Sequence, residues 1–413
     1  MENAKSMVDA LKLDLKETTK YMVDKITYIC EKIGPRAPGS PEELKSQKDM
    51  AEDLKKWSDE VEFEDFIVHR QAFMGFIPFT VATAIAATVL FFFKPLVGFI
   101  LTVLGIIPLV LEFVMYRQFI DPLFKGHTSH NVIATKHAKG ELKKRIILVG
   151  HADSQYEWIL NYKLGGNGMK MFLIPAVVGL ILVCALSLLQ FILIDLAKLV
   201  QLEQIFFWVG IALLIFIVPY IGFLFFQSYT KSVPGANDNL SGCLAVMAVL
   251  KMMNDANVDL EHTEVKVILS GSEEAGLRGA KAYVKAHKND FNDVETICVA
   301  CDTVRDLKDM AVYDRDLSGT LQHNAQVKAL VKKAALNCGF DIPYSSIYLG
   351  ACDAAAFTQG GIKSTGFAAM DPTPPRYYHT RLDNPSMLCP EALEAGAKIL
   401  LETTLLYDKE GLQ

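Results

Sequence analysis

Residues 145–154 read RIILVGHADS and residues 265–276 read VKVILSGSEEAG. Each starts as a short run rich in Ile, Leu and Val, breaks at glycine, and then presents imidazole or carboxylate side chains. A short apolar run bounded by glycine is the pattern of a strand buried on both faces, as in a parallel sheet. In open α/β sheets ligands bind outside the carboxyl ends of the strands. His151, Asp153, Glu273 and Glu274 are therefore expected along one sheet edge.

Outward from these two runs the pattern repeats. NVIATK (131–136), TICVACD (296–302) and STGFAAM (364–370) are further short strand-like runs, and VEFEDFIVH (61–69) alternates like a half-buried strand. Helical periodicity occupies residues 42–60 and about 240–254, 277–287, 326–338 and 391–406. The alternation predicts an α/β fold: a mostly parallel mixed sheet flanked by helices. Asp302 ends its run and His379 lies in a Pro-rich loop after the last one, so both join the same edge.

The polar pattern is interrupted twice. Phe73 to Phe93 and Leu96 to Tyr116 form one apolar block, and Met171 to Ile194 and Ile205 to Phe226 form another. Each segment is long enough as a helix to cross hydrocarbon, and Glu112 is the one charge within them. They are expected as two transmembrane helical hairpins, giving four spans. Arg70, Arg117, Lys125, Lys163, Lys170 and Lys231 flank the spans on the side of the polar domain, whereas Lys94 and Lys198 are the cations of the tips. The excess of cations puts the polar domain and both termini in the cytoplasm. Glu112 has two readings, a functional intramembrane carboxylate or one that snorkels to the nearby interface.

The 413 residues are 51% hydrophobic with a net charge of -6. No basic stretch suits nucleic acid, so that partner is excluded from the expectation. The eight cysteines form no secreted disulfide framework, and Cys298-x-x-Cys301 reads as core strand. His127 and His130 lack a carboxylate partner in the sequence pattern, and Ser241 and Ser272 lack a base, which argues against a serine hydrolase.

Zinc takes imidazole and carboxylate ligands. Two metals sharing a bridging carboxylate need one further imidazole and one further carboxylate each. His151, Asp238, Glu274, Asp302 and His379 have that stoichiometry. Glu273 is then left over beside a ligand, free to act as a base.

Taken together, GPRAPGSPEE (34–43), NVIA, GHADS (150–154), GANDNLSG (235–242), SGSEEAGLRGA (270–280), CD (301–302), GACDAAAF (350–357) and YHTRLD (378–383) resemble the co-catalytic two-zinc aminopeptidases. That group also includes glutaminyl cyclases and glutamate carboxypeptidase-like enzymes. The resemblance covers nearly all of the non-membrane chain, in the family's order. It implies two zinc ions per chain. His151 and Asp302 would hold one, Glu274 and His379 the other, and Asp238 would bridge them. Glu273 would be general base and later acid to the leaving amine. Tyr378 would help stabilise the oxyanion, Asp153 would orient His151, and Asp353 and Asp383 would support the site.

One departure from the family is the second apolar block, which fills about 85 residues between His151 and Asp238. The peptidase domain is thus expected in three parts, 1–70, 118–170 and 229–413, with hairpins at 71–117 and 171–228. The expected function is a membrane-integrated zinc aminopeptidase acting on peptides, with a bias to hydrophobic ones. Two other readings stand beside it: an amidase or deacylase of N-acyl amino acids or lipid-linked peptides, and an inactive binding or scaffold protein.

Overall fold

The computed structural model describes residues 6–373 and 375–413. Nine strands form one mixed sheet: β1 Glu60–Val68, β2 His127–Lys136, β3 Lys144–His151, β4 Thr263–Ser270, β5 Glu295–Val304, β6 Met310–Asp316, β7 Leu321–Gln322, β8 Tyr344–Ser346 and β9 Lys363–Ala369. Their order is β1-β2-β4-β3-β5-β9-β6-β7, with β8 beside β6. The centre, β4-β3-β5-β9, is parallel. Antiparallel β1-β2 and β6-β7 extend it on either side. The predicted α/β sheet is present. The short strands β6 to β8 were not read from the sequence.

Alternation along β3 divides the core. Ile146 and Leu148 pack on one face with the helices Gly242–Asp255, Ala325–Asn337 and Pro390–Glu410. Ile147 and Val149 pack on the other, with the helices Arg278–Ala286 and Ala354–Gln359. Cys298 and Cys301, three apart on β5, fall on opposite faces, so the strand itself separates them. All eight cysteines are free.

The apolar blocks fold as helices that pack on one another and on the second face. Among the described residues three are long and apolar enough to cross a membrane: Pro95–Val114, Ile159–Leu196 and Val200–Phe223. Little of each is buried, 28%, 22% and 28%, so large apolar side chains such as Ile181 and Ile215 face outward. The first apolar run is shorter than expected. Its helix covers Phe76–Leu90, with turns at Ala72–Gly75 before it and at Leu90–Lys94 after it. Pro95 explains the second turn, because a residue preceding proline is driven out of helical geometry. The third helix starts earlier than Met171. It begins at Ile159 and is interrupted at Gly165, whose φ of 73° suits glycine.

Glu112 takes neither expected position. It is fully buried, with one carboxylate oxygen accepting from the Ile120 N–H at 2.7 Å and the other 3.3 Å from the Arg278 guanidinium. Asp121 lies 2.7 Å from the same guanidinium nitrogen. This buried ion cluster joins the first apolar block to the helix that follows the Glu273-Glu274 turn.

Candidate active site

The chain passes from β3 to β4 on one side and from β4 back across β3 to β5 on the other, so the connections reverse direction in the sheet at β3. Such a switch point opens a crevice at the carboxyl edge. His151 ends β3, Glu273 and Glu274 follow β4, and Asp302 lies near the end of β5. Asp238 is brought in by the turn before the helix Gly242–Asp255. That helix start can approach because Gly150 and Gly242 meet there. A Cβ at Gly150 would lie 2.7 Å from the Cys243 nitrogen, and one at Gly242 would lie 2.3 Å from the Cys301 carbonyl oxygen.

The Glu-Glu turn is held in an unusual backbone. Ser272, Gly276 and Leu277 have φ of 54°, 99° and 62°. Left-handed residues of this kind persist where surroundings over-determine them. Here the Asp153 carboxylate accepts from the N–H of Glu273 and of Glu274, both at 3.0 Å, and the Glu43 carboxylate accepts from the Ser272 N–H at 2.7 Å. Asp153 is 3.5 Å from His151 Nδ1, which has no hydrogen-bond partner. Its direct contacts thus position the Glu-Glu turn, and the expected bond to His151 is not formed.

Asp238 lies between the two imidazoles. Its Oδ1 is 3.2 Å from His151 Nε2 and its Oδ2 is 2.8 Å from His379 Nε2. Glu274 Oε1 is 3.3 Å from the same His379 nitrogen, and Asp302 Oδ1 is 3.8 Å from His151 Nε2. Glu273 Oε2 stands 3.9 Å from His151 Nε2. All five predicted ligands and Glu273 therefore converge. Asp383 accepts from the Asp238 N–H at 2.9 Å and the Asn237 N–H at 2.8 Å, holding the turn that carries Asp238. Asp353 accepts from the Ser270 hydroxyl at 2.5 Å, at the end of β4. Tyr378 stacks on the His379 ring, with centroids 3.7 Å apart.

Side chains not predicted from the sequence complete the wall. Gln155 donates to Glu274 Oε2 at 2.6 Å. Trp158 meets the His379 ring edge-on at 4.3 Å, and its backbone N–H donates to the His379 carbonyl at 2.7 Å. Arg36 is buried and donates to the carbonyls of Ala152, Pro234 and Gly235, tying the His151 and Asp238 loops together. The sequence signal for Arg36 was its place in GPRAPGSPEE. Gln155 and Trp158 carried none beyond their nearness to His151. His130, set aside in the sequence for want of a carboxylate partner, pairs with Asp65 of β1 at 2.6 Å rather than with a candidate ligand.

The electrostatics call for positive charge. Burial pushes the Glu274 carboxyl up to about 7, against the pull of His379. Burial likewise pushes Asp353 up to about 7 and Asp383 up to about 6. Burial works against Asp238 too, but His379 and His151 hold its carboxyl well below the usual range. Burial would lower His379, yet Glu274 and Asp238 raise it to about 10.

The donors fit a metal better than one another. Asp238 Oδ2 and Glu274 Oε1 are buried without a hydrogen-bond partner although both approach His379 Nε2. A single ring nitrogen carries at most one proton, so two carboxylate oxygens and one imidazole lone pair converging on one space suit a cation. His151, Asp238 and Glu274 each offer a ligand atom within 4.8 Å of the others.

Residues 224–404 match the family model for peptidase family M28. That segment holds every candidate above except His151, Asp153, Gln155, Trp158 and the N-terminal Arg36 and Glu43. No curated protein sequence matches the chain. Among solved structures, the aminopeptidase from Aneurinibacillus sp. strain AM-1 is similar at 17% identity and TM-score 0.57, over 95% of this chain and 94% of that one. BSAP, a zinc aminopeptidase from Bacillus subtilis, is similar at 15% identity and TM-score 0.54, over 95% of each chain. Fimbriiglobus ruber glutaminyl cyclase is similar at 12% identity and TM-score 0.55, over 93% of this chain and 94% of that one. These likenesses establish the fold.

Proposed function

We propose that this protein is a zinc-dependent peptidase of the aminopeptidase type, integrated in a membrane, with peptides as substrates. The observation that carries the reading is the position of Asp238, one oxygen toward each imidazole, with Glu273 alongside and bonded to neither carboxylate partner. His151 and Asp302 would hold one zinc, Glu274 and His379 the other, with Asp238 shared. The chemistry such a pair supplies when bound is Lewis acidity, which polarises the scissile carbonyl and makes water reactive near neutral pH.

The chain's own residues do the rest. Glu273 takes the proton from the attacking water and passes it to the leaving amine as the C–N bond breaks. Tyr378, stacked on His379, presents its hydroxyl to the developing oxyanion. Gln155 and Asp153 keep Glu274 and the turn beneath Glu273 in place. The catalytic cavity is small, about 40 Å³. A chain end enters such a space more readily than the middle of a peptide, which favours exopeptidase action. An inactive scaffold would have no use for Glu273 poised beside an intact ligand set.

Membrane integration rests on the three long apolar helices, with Phe76–Leu90 as a fourth, shorter span. With the excess of cations on the side of the polar domain, the catalytic domain and both termini would face the cytoplasm. The decisive test is Glu273→Gln in the full-length protein. Peptide hydrolysis falls by roughly 10²–10⁴ while zinc content stays at the wild-type level. Near-wild-type turnover, or loss of metal, overturns the assignment.

A further inference from the structure

We infer that the cavity between the apolar helices binds an unbranched alkyl chain attached beside the scissile amide of the substrate. The inference rests on the hydrolase reading above and narrows its substrate class.

Two spaces lie side by side. The catalytic one, about 40 Å³, is lined by the five candidate ligands and Glu273. It has room for a few water molecules and no sizeable substrate group. The neighbouring one is about 230 Å³ and lies between the helices of both apolar blocks. Met74, Phe113 and Leu349 line both, so these three side chains are what stands between the two spaces. A second route of contact runs through aromatic rings. Phe226, in the wall of the larger cavity, packs on Trp158 at 4.7 Å, and Trp158 meets His379 at 4.3 Å.

The chemistry of the wall selects the occupant. Val81, Ala176, Leu180 and Phe223 offer no polar contact, and Thr80 is committed to the Gly105 carbonyl at 2.8 Å. Tyr220, Ser318 and Tyr348 also line the space, but most of its wall is apolar, and a charged group would be left unpaired against it. An occupant must also thread between Met74, Phe113 and Leu349 with its reacting end still among the carboxylates. A flexible unbranched chain meets both demands. Two sources share this chemistry: an amino acid with a long linear side chain, and a plain fatty acyl group.

The test uses full-length zinc-loaded protein in detergent and in liposomes, with three amide series of increasing chain length. They are 2-aminoacyl anilides with linear side chains, fatty acyl anilides, and leucine alkylamides. In one series kcat/KM rises about fourfold per methylene until the cavity is full. The series that responds shows which side of the amide carries the chain and whether an α-amine is required. Ala176→Phe shortens the preferred length and lowers the long-to-short ratio of kcat/KM by about tenfold or more. Leu180→Ala moves the preferred length upward, and it decides the matter if the first variant does not fold. A flat length profile in all three series, or a profile unchanged in both variants, overturns the inference. If short anilides are still cut in a Glu273-dependent way while the profile is flat, the hydrolase reading stands and this one falls. If no short member is cut, the hydrolase reading falls and takes this one with it.

Discussion

Asp238 is the carboxylate that both imidazoles of the site approach. Its two oxygens face two different imidazoles, and Asp383 fixes its backbone from below. If it bridges two metals, removing it affects both positions, whereas removing His379 affects one. Asp238→Ala is therefore expected to lower bound zinc toward zero, and His379→Ala toward half of the wild-type content. Elemental analysis after dialysis reads this directly. Equal zinc in wild type and both variants would count against a shared carboxylate.

At the scale of elements, the helix Arg278–Ala286 couples the Glu273–Glu274 turn to the first apolar block. Arg278 is buried against Glu112 and Asp121. Breaking a buried pair leaves uncompensated charge, which typically costs about 3–5 kcal/mol. Arg278→Met is expected to lower the unfolding midpoint in detergent accordingly, and an unchanged midpoint would show the cluster to be energetically neutral. Lys281 on the same helix donates to the Gly276 carbonyl at 3.3 Å and to that of Tyr116. Burial, with Arg278 adding to it, lowers Lys281 to about 7 from an ordinary 10.5. Between those values the unfolded chain binds the extra proton, so this group makes stability rise with pH from about 7 upward. Thermal unfolding from pH 7 to 9 should show that slope in wild type and a shallower one in Lys281→Met.

At the scale of the whole molecule, the question is how the apolar helices place the site relative to a bilayer. Only about a quarter of the apolar window of each long helix is buried, so packing leaves most of its apolar side chains facing outward. A cysteine introduced beside Lys94 or Asp195 is expected to react with an impermeant reagent outside intact cells, and one beside Gly411 is not. The reverse pattern would place the catalytic domain outside. The helix Phe76–Leu90 spans about 22 Å at 1.5 Å per residue, less than the hydrocarbon thickness of about 30 Å. If this helix crosses a bilayer, the bilayer would thin there or the flanking Phe91–Phe93 turn would enter it.

Much of the parallel centre was legible from local pattern. A doubly buried strand is apolar through most of its length, and RIILVG, VKVILS, TICVACD and STGFAAM are. Their carboxyl ends mark where polar side chains can collect, so His151, Glu273, Glu274 and Asp302 could be placed on one edge before any contact was known. Strands β6 to β8 escaped because they are short and lie toward the sheet margin, where MAVYDRD needs no continuous apolar run. Gln155, Trp158 and the Arg278–Glu112 pair escaped because each acts on a residue remote in sequence from itself or carries no periodic signal. By itself the sequence determined the strand and helix pattern, the apolar blocks and the chemistry of the candidate ligands, since these depend on residue type and local spacing. Only the tertiary structure decided that Asp238 lies between His151 and His379, that Glu112 is buried in an ion cluster, and that an apolar cavity adjoins the carboxylates. Those depend on which distant surfaces meet, and packing alone sets that.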